Sequence, residues 1–166
     1  MANNYTQFSA ELQLDNEDQY EWFHYLLNLH DHIDDYVFEN EAEYDDEEDA
    51  KNDFIDQVIS TYGIKLWAED IDDAYPNFQY KLQKDSLWVY AEEDGNINMI
   101  GKMVQAFFNK FRPDGIFYLT YADTCSKMRI DEFGGGAMVV TAKKIDYFST
   151  NDFVNEKLKE HKEKLK

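Results

Sequence analysis

Along residues 5–14, Thr6, Phe8, Ala10, Leu12 and Leu14 alternate with Tyr5, Gln7, Ser9, Glu11 and Gln13. A period of two with one polar side predicts a strand buried on one face. The period changes at Asp15 or Asn16, either of which suits a helix N-cap, and Glu17 and Asp18 put acids in the first turn. Tyr20, Phe23, Leu27 and His30 then recur at helical spacing, which predicts a helix over about 16–30. A second apolar stripe, Phe54, Ile55, Val58, Ile59 and Tyr62, predicts a helix over about 51–62 that Gly63 would end. Residues 64–77, with Pro76 near their end, fit a short strand or a loop.

Further on, Phe78, Tyr80 and Leu82 alternate with Gln79, Lys81 and Gln83. After "KDS", Leu87, Val89 and Ala91 alternate with Trp88, Tyr90 and Glu92, which reads as a hairpin. Ile97, Ile100, Val104, Phe108 and Phe111 give a helix over about 96–111, stopped by Arg112-Pro113-Asp114-Gly115. Strands follow over 116–122 and 137–142, joined by a loop of about a dozen residues. A Lys/Glu-rich helix over about 151–165 starts at an Asn151 cap.

This order predicts a single α+β domain over residues 1–166. Its core reads as a ferredoxin-like split β-α-β, an antiparallel sheet with helices on one face. An acidic helical insert (about 31–76) follows the first helix, and an extra strand and the C-terminal helix complete the chain. The second sheet face would carry Tyr5, Trp88, Tyr90, Tyr118 and Thr120, either exposed or covered by the insert or the last helix.

Charge changes the picture most. The 166 residues carry a net −19, with 43% hydrophobic and 16% aromatic residues, so a real core is affordable despite the repulsion. Residues 143–166 sum to +2, which leaves −21 on the rest. Such a body repels nucleic acid and anionic membrane and attracts basic proteins. No apolar run is long enough to span a bilayer, and the N-terminus lacks signal-peptide character. With the single Cys125 this predicts a cytoplasmic setting and no internal disulfide.

The acid is concentrated. From Asp31 to Asp49 there are eleven carboxylates and no Lys or Arg. Eight of them, Glu39, Glu41, Glu43, Asp45, Asp46, Glu47, Glu48 and Asp49, are the candidate partner-binding residues. Duplex DNA carries one charge per ~1.7 Å of axis, and a segment this dense in Asp and Glu can approach that spacing. Ile33, Tyr36, Val37, Phe38 and Tyr44 within the stretch would anchor it to the fold. Taken alone, an acidic run is more often a solvated face that confers solubility.

Other constellations carry less. "EEDGNIN" (92–98) lacks the spacing of a calcium loop and reads as a turn plus a helix cap. On a helix His30 and His32 point about 200° apart, so with His24 six residues earlier a shared metal would need a strand or turn there, and histidines at the surface near a helix end are the expected reading. No cofactor motif and no set of acid, base and nucleophile is present, which argues against an enzyme. The segment 122–136 offers an alternative ligand loop through Asp123, Cys125, Lys127, Arg129, Gly134, Gly135 and Gly136, working with the aromatic sheet face. It would bind a small molecule or peptide. The blander reading is structural: glycines at a strand start permit a bulge or close backbone packing. Lys127 and Arg129 would also be placed to pair with the acidic insert.

The stretch from "LTYADTCSK" to "EFGGGAMVVTA", with the hairpin and helix before it, is similar to uncharacterised small acidic proteins of phages, prophages and other mobile elements. The resemblance covers roughly the C-terminal half and brings no assigned catalytic residues. It implies a role against host defence of the antirestriction or anti-CRISPR kind, sometimes exercised by imitating DNA. The expected partner is a basic nucleic-acid-binding protein of the host, bound without direct nucleic-acid contact. The exposed aromatics leave room for a homodimer.

Overall fold

The computed structural model describes residues 4–40, 43–44, 46–62, 76–127 and 132–164. The chain order is β1 (Asn4–Gln13), α1 (Glu17–Leu27), α2 (Leu29–Asn40), α3 (Glu47–Tyr62), β2 (Gln79–Leu82) and β3 (Ser86–Ala91). It continues with α4 (Ile97–Phe111), β4 (Ile116–Cys125), β5 (Gly134–Thr141), β6 (Ile145–Ser149) and α5 (Thr150–Lys164). The fold is α+β, with one open six-stranded sheet in the order β2-β3-β1-β4-β5-β6. Every neighbouring pair is antiparallel. β1 is central. It pairs with β3 from Phe8↔Ala91 to Gln13↔Ser86, and with β4 from Asn4↔Cys125 to Phe8↔Tyr121.

The alternation in β1 works as its pattern demands. Phe8 and Leu12 point inward with Leu87 and Val89 of β3, Phe117 and Leu119 of β4, and Met138 and Val140 of β5, all buried. Trp22, Phe23 and Leu26 of α1 and Ile100, Met103 and Phe107 of α4 complete this core. The Phe23 and Phe107 rings lie 4.9 Å apart and join the two helices. Each such side chain contributes about 1.5–3 kcal/mol on burial. α4 buries eight residues and α5 none, so α4 holds the sheet and α5 is an appendage. Where α4 ends, Arg112 ties it to the start of α1. Its Nε lies 2.7 Å from Asp15 Oδ2, and its Nη2 donates to Gln19 Oε1 at 2.9 Å.

The second sheet face is open. Tyr118 is 71% exposed, and Trp88 stacks on Tyr90 at 4.4 Å while donating from Nε1 to Ser9 Oγ. Tyr118 and Trp88 stay exposed, so among the described residues neither the acidic segment nor the last helix covers this part of the face, against the second of the two expectations above.

Several boundaries differ from the sequence reading. The helix expected over 16–30 stops at Leu27, because Asn28 turns the chain. Its Nδ2 donates to the His24 carbonyl, and its own carbonyl accepts from the Asp31 and His32 N–H groups. One residue therefore ends α1 and starts α2. α2 itself falls where only an acidic stretch was expected. α3 starts at Glu47, four residues early, since Asp46 Oδ1 accepts from the Asp49 N–H. β4 runs on to Cys125 and β5 begins at Gly134, so the connection is residues 126–133 rather than a dozen. β6 was not anticipated. α5 starts at Thr150, with Ser149 Oγ rather than Asn151 accepting from the Asp152 N–H at 3.3 Å. The expected Gly63 stop, residues 64–75 and the final residue of the expected last helix, Leu165, lie outside the described residues.

Candidate acidic interface

α2 and α3 form a helical hairpin whose inner side is apolar. Leu29, Ile33, Ala50, Phe54 and Val58 are buried, with Tyr36 and Val37 packed against them. Near the turn, one carboxylate gathers three donors. Tyr44 Oη donates to Asp53 Oδ2 at 2.6 Å, Tyr36 Oη at 2.8 Å and Gln57 Nε2 at 2.8 Å. Hydrogen bonds from Tyr44, Tyr36 and Gln57 hold the Asp53 carboxyl below the usual carboxylate range. The same bond to Asp53 pushes the Tyr44 hydroxyl well above the usual phenol value. Asp53 thus serves the fold, and its charge is directed inward at the two tyrosines.

The remaining described acids face solvent. Asp31, Asp34, Asp35 and Glu39 on α2 are exposed, as are Glu43, Asp46, Glu48, Asp49 and Asp56. Of the eight candidate residues, Glu39, Glu43, Asp46, Glu48 and Asp49 are therefore exposed on or beside the hairpin. Glu41, Asp45 and the Glu47 side chain lie outside the described residues. Asp31, Asp34, Asp35 and Glu39 lie within nine residues, whose eight rises of ~1.5 Å make about 12 Å of helix. That is one carboxylate per ~4 Å, against one phosphate per ~3.4 Å along a single DNA strand.

Repulsion does not unmake this arrangement. The i,i+4 pairs Asp31–Asp35 and Asp35–Glu39 each cost about 0.2–0.5 kcal/mol. Burial of Ile33, Phe54 and Val58, at about 1.5–3 kcal/mol each, outweighs that several-fold.

The histidines are occupied by local contacts. His24 stacks on Tyr20, His32 stacks on Tyr25 at 4.4 Å, and His30 Nε2 lies 3.0 Å from Asp31 Oδ1. Among the described residues no group of His, Cys, Asp and Glu is placed to hold a metal ion. In "EEDGNIN", Asn96 Oδ1 accepts from the Met99 N–H and caps α4.

The alternative ligand loop is largely strand. Asp123 and Cys125 belong to β4 and Gly134, Gly135 and Gly136 to β5. Asp123 Oδ1 accepts from Thr6 Oγ1 at 3.1 Å, and the Cys125 thiol donates to Glu132 Oε2 at 2.9 Å. Gly135 has φ +147° and backs onto the Tyr121 carbonyl. A Cβ on Gly136 would strike the Phe148 carbonyl and lie 2.6 Å from Tyr121 Oη. Tyr121 fills the space that a side chain at 136 would take. Burial, then Asp123 and Asp152, raise the Tyr121 hydroxyl above its ordinary value. Lys127 is exposed and makes no ion pair with the acidic segment among the described residues, and Arg129 lies outside them.

A groove of about 480 Å³ opens between β1 and β4, lined by Ser9, Glu11, Gln13, Arg112, Tyr118 and Thr120 among others. It forms where the two strands stop pairing after Phe8↔Tyr121, and among the described residues it includes none of 122–136. No helix among the described residues is long and apolar enough to cross a membrane. No family model, no curated protein and no solved structure matches this chain.

Proposed function

We propose that the chain is a non-enzymatic acidic interaction protein whose α2–α3 hairpin enters the basic nucleic-acid groove of a protein partner. The observation that carries this reading is a row of exposed carboxylates at near-phosphate spacing on a helix whose other side is buried. A solvated solubility tail needs no apolar underside and no tyrosine clasp on Asp53. The Tyr36–Tyr44–Asp53–Gln57 cluster favours fixed display instead. Fixed charges bind a cationic groove without first losing conformational entropy.

The resemblance to small proteins of phages and mobile elements supplies the setting. The partner is then a host nucleic-acid-binding defence protein in the cytoplasm, and the chain acts as a DNA mimic of the antirestriction or anti-CRISPR kind. For the fold behind it, we read β1-α1-β2-β3-α4-β4 as a ferredoxin-like split β-α-β. The strand order β2-β3-β1-β4 and its antiparallel neighbours support that reading. α2 and α3 are then the insert, and β5, β6 and α5 the extension.

The test is capture from a host-cell lysate on the immobilised full chain. A basic nucleic-acid-binding protein should bind at low salt, compete with duplex DNA and elute as salt rises. Screening shortens from ~10 Å at 0.1 M to ~3 Å at 1 M, so the affinity should fall steeply. Changing Asp31, Asp34 and Asp35 together with the eight carboxylates from Glu39 to Asp49 to their amides should keep the helical signal and abolish capture. Equal capture by that variant refutes the proposal.

A further inference from the structure

Between β1 and β4 the sheet is split, and its two hairpins fix where the main-chain groups at the split point. The Gln83 N–H donates to the Ser86 carbonyl at 2.8 Å, so Ser86 faces β2. Successive residues of an antiparallel ladder turn their N–H and C=O groups to opposite neighbours. Leu87, Val89 and Ala91 therefore face β1, and their partners Leu12, Ala10 and Phe8 face β3. That leaves Ser9, Glu11 and Gln13 turned toward β4. On the other side, the Thr141 N–H donates to the Lys144 carbonyl at 2.9 Å, so Thr141 faces β6. Val140 then faces β4, its partner Phe117 faces β5, and Ile116 and Tyr118 are turned toward β1.

Yet the β1–β4 ladder ends at Phe8↔Tyr121. Glu11 and Gln13 on one side, and Ile116 and Tyr118 on the other, present main-chain groups to the groove of about 480 Å³ from outside any β1–β4 pairing. An unpaired strand edge is a template for another strand, and proteins ordinarily blunt it with charge or proline. Here "SAELQ" (9–13) has one charge, "IFYLT" (116–120) has none, and neither holds proline.

The flanks decide what fits. Each freed edge is backed by a paired strand, β3 behind β1 and β5 behind β4, so the edge of a second folded sheet is shut out and a single extended segment is not. At ~3.3 Å rise, ~4.8 Å spacing and ~10 Å thickness, one residue of such a segment takes ~160 Å³, so about 480 Å³ admits roughly three. Charge sets the sign. Glu11 is an exposed carboxylate in the groove, whereas the Arg112 guanidinium there is already matched by Asp15 at 2.7 Å, and the whole chain carries −19. We infer that the β1–β4 groove binds an extended peptide segment of a partner protein, basic side chains alternating with apolar ones, as an inserted strand. Because β1 and β4 are antiparallel, the segment runs parallel to one of them and antiparallel to the other. Its outward side chains meet the Glu11 carboxylate and the Tyr118 ring, both of which attract a cation. Its inward side chains meet Leu12 and Phe117. The site is separate from the acidic hairpin and does not depend on it.

The probe is a terminally blocked heptapeptide of alternating lysine and valine, titrated into the isotope-labelled full chain while amide exchange is followed. The Glu11, Gln13, Ile116 and Tyr118 amides should exchange freely without peptide and become protected with it. So short a segment should bind with a dissociation constant on the order of 0.1 mM. A backbone N-methylated analogue keeps the charge and loses main-chain donors, so it should bind at least about tenfold more weakly. Attraction to the acidic hairpin would ignore N-methylation and perturb α2 and α3 amides instead. Tyr118→Pro removes a groove-side N–H, leaves the β4–β5 bonds of Phe117 and Leu119 in place, and should abolish protection. Should that variant unfold, Glu11→Lys at an exposed position should still weaken the basic peptide about fivefold or more. Four results overturn the inference: groove amides already protected in the free chain, protection that rises with chain concentration alone, no protection at millimolar peptide, and equal protection by the N-methylated or a glutamate–valine peptide.

Discussion

The three consecutive glycines of β5 offer a graded test of why they are there. A Cβ on Gly134 would meet the Asn151 amide at 3.2 Å, the far end of a side chain that can rotate away. Alanine there also restricts the unfolded chain, which stabilises by about 0.4–1 kcal/mol where the backbone allows it. Gly134→Ala should therefore stay within about 1 kcal/mol of the parent. A Cβ on Gly136 would strike the Phe148 carbonyl, which is fixed in the β5–β6 ladder. Overpacking of this kind costs about 1–3 kcal/mol, and a backbone obstacle belongs at the upper end. Gly135→Ala combines a clash with the Tyr121 carbonyl and φ +147°, a conformation costing a side chain about 1–3 kcal/mol. Both should lose about 2–3 kcal/mol. At roughly 2–4 °C per kcal/mol for a chain of this size, the melting temperature should fall by about 4–12 °C. Adding Tyr121→Phe to Gly136→Ala should not rescue it, because the obstacle is the carbonyl and not the phenol. Thermal unfolding followed by circular dichroism reads all four variants. Gly136→Ala as stable as the parent, or Gly134→Ala as damaging as the other two, refutes the packing argument and returns the glycines to a ligand role.

Two further expectations concern polar clusters. The Asp53 carboxyl is held below its ordinary value in the fold, so the stability it contributes is present above the ordinary carboxylate pKa and is lost as pH falls through the folded value. Protection factors of the α2 and α3 amides, taken against the intrinsic rate at each pH, should fall in that acid window, and Asp53→Asn should remove this pH dependence; an unchanged acid profile contradicts the clasp. Arg112→Leu removes the partner of Asp15 and of the buried Gln19, and should cost about 1–2 kcal/mol in urea unfolding. Arg112→Lys should not restore it, since one ammonium cannot reach both groups in the same fork.

What the sequence revealed depended on how much of each element is core. β1 and the β2–β3 hairpin alternate cleanly because one side of each is buried and the other is wet. α4 announced itself through Ile97, Ile100, Val104 and Phe108, most of them deep in the core. α2 was hidden for the converse reason. Its apolar positions are few, Leu29 and Ile33 being the buried ones, and the acids between them look like a solvated run. Its start was further masked by Asn28, whose role as a junction depends on which carbonyls its neighbours reach. β6 is five residues long and merges into α5 without a break. The strand character of Gly134–Gly136 was invisible because glycine disfavours strands, and only Tyr121, distant in sequence, supplies the missing surface. For the candidate interface, the acids and their aromatic neighbours were legible from composition. The convergence of Tyr36, Tyr44 and Gln57 on Asp53 was not, because it joins two helices across a turn.

The Asn28 junction has a mechanical consequence. Since the same residue closes one helix and opens the next, α2 cannot slide along its axis without undoing the last turn of α1, whose Trp22, Phe23 and Leu26 are locked in the core. The phase of the anionic row is thus inherited from the deepest packing in the molecule. Substitutions far from any partner, in the aromatic centre, would shift the charges as a rigid set.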